Sequence, residues 1–179
     1  MARKLALLGS VNVGGNRIAM ADLRDRLASA GFANVATVAA SGNVLFDADP
    51  SCDDEHCAAR IAGVLHDAYG FDSLVVVLDG QTLRSAIDDN PFRGSGEDRF
   101  VHTIFLDRQP TQERFDALLS EHRAKGGERL ALGEKMLFLD YVHGVGVSSL
   151  TGAFLQRRLE CRGTARNMSS LERIAGKMT

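Results

Sequence analysis

Apolar runs, helical periodicities and turn residues follow one another along this chain in the order β-α-β-β-α-β, and then in that order again. The run at 4–11 reads as a buried strand. A helix over 20–30 follows, with Leu23, Leu27 and Ala30 at helical spacing and Gly31 placed to end it. Short strands at 35–39 and 44–46 meet around Ser41-Gly42-Asn43, where glycine followed by Asn suits a hairpin. A second helix over 53–69 keeps Ala58, Ile61, Ala62, Leu65 and Ala68 on one face, and Gly70 stops it. The stretch 73–78 is continuously aliphatic and β-branched, as sheet-interior strands are. This order is the ferredoxin-like, or split β-α-β, pattern.

The second half repeats it: a strand at 101–106, a helix at 111–122, a hairpin of 130–132 with 136–141, a helix at 149–159 and a short strand at 162–165. A closing helix spans 167–177. The duplication is one of element order, with no residue-level repeat. Between the halves lie a helix at 81–88 and then Asn90-Pro91-Phe92 and Gly94-Ser95-Gly96, a linker composition. The predicted class is therefore α+β: two consecutive ferredoxin-like (β-α-β-β-α-β) halves with antiparallel sheets and a C-terminal helix. The predicted domains are 1–96 and 97–179.

Topology then singles out one edge. Leu5-Ala6-Leu7-Leu8 runs into Gly9-Ser10-Val11-Asn12-Val13-Gly14-Gly15-Asn16, and a helix is expected at once after it. Amides exposed at a strand-to-helix junction can bind an anion, because a helix N-terminus carries partial positive charge. In the antiparallel sheet of this pattern the first strand ends where the second-to-third hairpin turns. That places 12–16 and 41–43 at one rim. Gly9 and Gly14 have the spacing of P-loop glycines, but Gly15 and Asn16 stand where Lys and a hydroxyl residue are needed, which argues against nucleotide hydrolysis. The candidate ligand-binding residues are Asn12, Gly14, Gly15, Asn16, Arg17, Ser41, Gly42 and Asn43, with Arg166 and Asn167 from the C-terminal Thr164-Ala165-Arg166-Asn167. Arg166 suits a fork to a carboxylate or phosphate, or a pairing with an acid such as Asp140; Asn167 with Ser169 and Ser170 suits helix capping. The expected function is binding of a small anionic or polar molecule at this rim. The alternatives are a metal-independent enzyme at the same place and a protein or nucleic-acid interaction module.

Composition narrows these choices. With 179 residues, 45% hydrophobic and 25% charged, the chain can bury a sizeable core. A net charge of -2 and the absence of Trp argue against nucleic acid and acidic membranes. Charge is uneven: acids cluster at 47–55, and Arg157, Arg158, Arg162, Arg166, Arg173 and Lys177 gather near the end. No stretch approaches the ~20 apolar residues of a membrane helix. No cleavage site follows the apolar start, so a cytoplasmic protein is expected. Cys52, Cys57 and Cys161 form no disulfide framework and read as free thiols in a reducing compartment. Cys52-Asp53-Asp54-Glu55-His56-Cys57 lacks a second ligand pair, so no metal is assigned. No cofactor or catalytic residue is assigned either. His56, His66 and His122 fall at polar-facing helix positions and are expected in solvent, His102 lies in a strand, and His143 sits in a glycine-rich loop with no nucleophile signature beside it.

Five segments carry a resemblance to a known family: Leu7-Leu8-Gly9-Ser10-Val11-Asn12-Val13-Gly14-Gly15, Met20-Ala21-Asp22-Leu23, Ser41-Gly42-Asn43-Val44-Leu45-Phe46, Asn90-Pro91-Phe92 and Thr164-Ala165-Arg166-Asn167. In this order they resemble the bacterial family known as domain of unknown function 1697. The resemblance implies an α/β fold with paired ferredoxin-like halves and transfers no activity, substrate or catalytic residue. The chain departs from the family's usual pattern at three places: Gly9-Ser10 for Arg-Gly, Ala40 for Gln, and Met168 for Trp.

Overall fold

The computed structural model describes residues 1–49, 51–123 and 126–178. The chain forms two compact units, Met1–Arg84 with Arg173–Thr179, and Ser85–Glu172. Compared with halves at 1–96 and 97–179, the linker stretch from Ser85 goes with the second unit and the end of the chain with the first.

The first unit contains β1 (Ala2–Leu8), α1 (Met20–Ser29), β2 (Ala33–Thr37), β3 (Asn43–Ala48), α2 (Asp54–Tyr69) and β4 (Val75–Asp79), and α3 (Gly80–Asp88) begins in it. Its sheet has the order β2-β3-β1-β4, all antiparallel. Leu5, Ala6, Leu7 and Leu8 are all buried, so both faces of β1 are covered, as its unbroken apolar run implies. Leu23 and Leu27 of α1 and Cys57, Ile61 and Leu65 of α2 pack with Ala6, Leu8, Val44 and Phe46 into one core. Helix α2 begins where the Asp53 carboxylate accepts from His56 N at 2.6 Å, and it ends at Gly70 in the left-handed conformation.

The second unit runs β5 (Val101–Leu106), α4 (Gln112–His122), β6 (Arg129–Gly133), β7 (Met136–Asp140), α5 (Gly152–Leu159) and β8 (Gly163–Asn167), with most of α6 (Met168–Ala175). Its sheet, β6-β7-β5-β8, repeats the first order. Thr111 and Thr151 cap α4 and α5 through their hydroxyls. The cap at Thr151 explains why α5 starts later than the expected 149. Both units thus realise the β-α-β-β-α-β order with antiparallel sheets, and a helix closes the chain.

Two expectations need correction. The first strand stops at Leu8 rather than continuing to 11, because Gly9 N turns to bond Leu74 O at 2.7 Å and Ser10 adopts φ 58°. His122 is not in solvent but 4% exposed. The chain after α4 turns back at Gly126, where a Cβ would lie 2.6 Å from the His122 ring, and this brings Glu128 Oε2 to 3.1 Å from His122 Nε2. Among the described residues no helix is long and apolar enough to cross a membrane.

Candidate functional site

Antiparallel pairing decides which loops meet. Leu7 stands opposite Asn43 on β3 and Leu8 opposite Val75 on β4, so β1 ends beside the β2–β3 turn. Leu8 N donates to Gly42 O at 2.8 Å. The turn closes on itself through Val38 N to Asn43 O at 2.9 Å. Gly42 has φ +74°, and a Cβ there would lie 2.9 Å from Leu8 Cβ and 3.1 Å from Leu8 O. Only glycine meets both demands, a left-handed backbone and contact with the end of β1. The expected juxtaposition of 12–16 with 41–43 follows from this pairing.

Asn12 fastens the two loops. Its Oδ1 accepts from Ile18 N at 2.9 Å, and its Nδ2 donates to Ala40 O at 2.6 Å and to Ile18 O at 3.3 Å. Its own N–H donates to Asn16 O at 2.8 Å. Asn16 Nδ2 in turn donates to Ser10 O at 3.3 Å. Asn43 is buried, and its Nδ2 donates to Val38 O at 2.9 Å and to Ser41 Oγ at 3.0 Å. Asn12, Gly42 and Asn43 are therefore the frame of the rim.

Gly14 and Gly15 form the exposed crest of the loop, with φ +62° and +102° and open space around each Cα. Asn12 and Ser10 also lie at positive φ. Among the described residues, the N–H groups of Val13, Gly14 and Gly15 have no acceptor within the chain. Arg17 is exposed, its N–H donates to Gly15 O at 2.9 Å, and its guanidinium has no partner among the described residues.

The helix does not contribute as the sequence suggested. The loop continues through Asn16–Ala19, and α1 begins at Met20 with Ala19 at its N-cap position and no side-chain cap bond. Gly14 and Gly15 are therefore outside the first turn of α1, where the helix field is concentrated. The reason is Asn12: by holding Ile18 N and O, it keeps the segment before Met20 out of the helix.

Arg166 and Asn167 belong to β8, opposite Thr103 and His102 of β5. Arg166 is buried, and its Nη1 donates to Thr164 Oγ1 at 2.9 Å and Ala165 O at 2.8 Å. Burial pulls its pKa down to about 10, so the guanidinium stays charged at neutral pH. The Asp140 carboxylate is held by Arg129, at 2.6 Å from Nη2, and accepts from Val142 N at 3.0 Å. Asn167 Oδ1 accepts from Ser170 N at 2.9 Å and so caps α6.

Sequence reasoning passed over one polar cluster, in which Glu128 sits beside His122 and accepts from Ser148 Oγ. Glu128 stays below the usual carboxylate range: burial is the largest single influence and opposes this, but the Ser148 hydroxyl, its own backbone N–H and the nearby His122 and His143 together outweigh it. No local motif marks this cluster, because its members come from α4, the following loop and the segment before α5. His143 is exposed, and burial pulls His102 below the ordinary imidazole value. No group of three or more His, Cys, Asp or Glu able to hold a metal occurs among the described residues.

No curated protein matches the chain. Among solved structures it is similar to the conserved bacterial protein SP0830 from Streptococcus pneumoniae, at 20% sequence identity and a TM-score of 0.71, with 99% of this chain and 98% of that chain covered. At that identity the likeness shows the fold alone. The model of the family described as protein of unknown function (DUF1697) matches residues 1–138, most of the chain, and the chain belongs to that family.

Proposed function

We propose that the rim of the first unit binds a small polar or anionic molecule, with the N–H groups of 13–15 and the Arg17 guanidinium as its principal contacts. One observation carries this reading: the loop is longer than the fold needs. Residues 9–19 join β1 to α1, whereas 107–111 suffice to join β5 to α4 in a sheet of the same order. The surplus segment is exposed, polar and glycine-bearing, and surplus loops held on a rigid frame are where binding groups collect. Asn12, Gly42 and Asn43 keep the frame, while Ser41 and Asn16 flank the crest. Hydrogen bonds from amides to a charged acceptor contribute roughly 1.5–3 kcal/mol each, enough for selective binding without a helix dipole. The setting we assign is the cytoplasm, which the three free cysteines support.

Titrating inorganic phosphate and small carboxylates into isotope-labelled protein tests the reading. Amide shifts should concentrate at 13–17, and Arg17→Ala should weaken binding ~10-fold, equivalent to ~1.4 kcal/mol. Binding that leaves these amides unmoved, or that survives Arg17→Ala unchanged, places the ligand elsewhere.

A further inference from the structure

Cys52 and Cys57 bracket the start of α2, on either side of its cap residue Asp53. Cys57 is wholly buried in the first unit's core, and half-buried Cys52 packs against the same core. Their Sγ atoms lie 2.6 Å apart. Lys4 Nζ donates to Cys52 O at 3.2 Å and pairs with Asp54, and its positive charge is felt at Cys57. Two thiols in contact, one reachable from solvent and one shielded, meet two requirements of thiol–disulfide exchange: access for the attacking sulfur and a resolving partner beside it. We propose that Cys52 and Cys57 are a redox-active dithiol, which a low-molecular-weight disulfide oxidises to an intramolecular disulfide.

The exchange proceeds in two steps. Deprotonated Cys52 Sγ attacks one sulfur of the small disulfide, forming a mixed disulfide and expelling one thiolate, which takes up the proton Cys52 released. Cys57 then gives up its proton and attacks Cys52 Sγ. The mixed bond breaks, and the second small thiolate leaves and takes up that proton. Two electrons pass from the protein dithiol to the small disulfide, which ends as two thiols. Exposure sets the order, since only Cys52 is reachable at the outset. Burial and the contact with Cys52 push Cys57 up to about 11, with Lys4 acting against the rise, so Cys57 stays protonated until the mixed disulfide forms beside it. Cys161, buried in the second unit, donates to Leu159 O at 3.2 Å and has no cysteine partner among the described residues.

The full chain equilibrated across ratios of reduced to oxidised glutathione, then alkylated and weighed, tests this. Of its three thiols, two should be lost together, leaving one to alkylate, and the peptide containing Cys52 and Cys57 should lose two hydrogens and carry no adduct. Cys161→Ser should show the same paired loss. Cys57→Ser should stop at a glutathione adduct on Cys52, and Cys52→Ser should form no adduct at Cys57. Wild-type protein that keeps every thiol at the most oxidising ratio, or that carries glutathione on Cys52 while Cys57 still alkylates, overturns the proposal. The wild-type measurement stands whether or not a variant folds.

Discussion

In the first unit Leu8 N donates to Gly42 O at 2.8 Å and Gly9 N to Leu74 O at 2.7 Å; in the second, Leu106 N donates to Lys135 O and Asp107 N to Arg162 O, both at 2.9 Å. These bonds join the end of the first strand of each unit to the same two neighbours, the hairpin turn and the segment before the last strand. Each unit also carries one amide side chain as a fastener. Asn12 reaches Ala40 O in the first, while Gln109 Nε2 donates to Gly133 O at 3.3 Å and its Oε1 accepts from Lys135 N in the second. The corner is thus a property of the topology, repeated without sequence repeat. What differs is the turn residue, Gly42 at φ 74° against Lys135 at φ 49°, and the length of chain before the helix. The second unit shows that a short, helix-adjacent connection is sufficient, which marks the first unit's glycine loop as an addition to the fold.

The turn residues offer the largest test of this parallel. Gly42→Ala puts a Cβ against Leu8 in a left-handed backbone and should cost about 2–4 kcal/mol in urea unfolding. Lys135→Ala, at a position that already bears a Cβ, should stay within about 0.5 kcal/mol. Equal costs would mean that the two corners are packed alike after all.

The fasteners come next. Asn12→Ala strands the amide of Ile18, itself 5% exposed, and should cost about 1–3 kcal/mol. Hydrogen exchange at the Ile18 amide should accelerate with it. Gln109→Ala, at an exposed residue, should cost no more than about 1 kcal/mol. A smaller effect at Asn12 than at Gln109 would remove Asn12 from the frame of the rim.

The smallest effect separates the helix caps. Thr82 N donates to Asp79 Oδ1 at 2.7 Å at the start of α3, and that bond, against the opposing effect of burial, holds the Asp79 carboxyl below its usual range. A carboxyl depressed in the folded state contributes stability in full above its unfolded value of ~3.9 and loses it as pH falls through the folded one. The amount is under ~1 kcal/mol for a cap this close to solvent. Thr111 and Thr151, capping α4 and α5, have no proton to gain. Protection factors in the first turn of α3 should therefore fall in acid relative to those of α4 and α5, and Asp79→Asn should flatten the difference. A parallel fall in all three helices would assign the acid effect to another group.

Much of the fold was legible because it is written in short-range pattern. The strand at Val101–Leu106 falls where its apolar run does, and α2 starts one residue after Asp53 because an Asp there caps it. The rim was legible too, since antiparallel pairing of β1 with β3 requires the end of one to face the start of the other. The roles of the rim residues were not. Asn12 and Asn43 look like ligand-facing amides in a linear string, yet each spends its side chain on backbone carbonyls, one of them across 28 positions of sequence. His122 looks solvated by helical spacing and is buried, because Glu128 folds back over the last turn of α4.

Periodicity, caps and turn residues act over a few positions, so the sequence alone determined the order of elements, the two antiparallel sheets and the edge where the loops gather. Contacts between distant residues depend on how strands register and loops return. Only the tertiary structure therefore decided that Asn12 holds Ala40, that His122 is enclosed, and that the sulfurs of Cys52 and Cys57 touch.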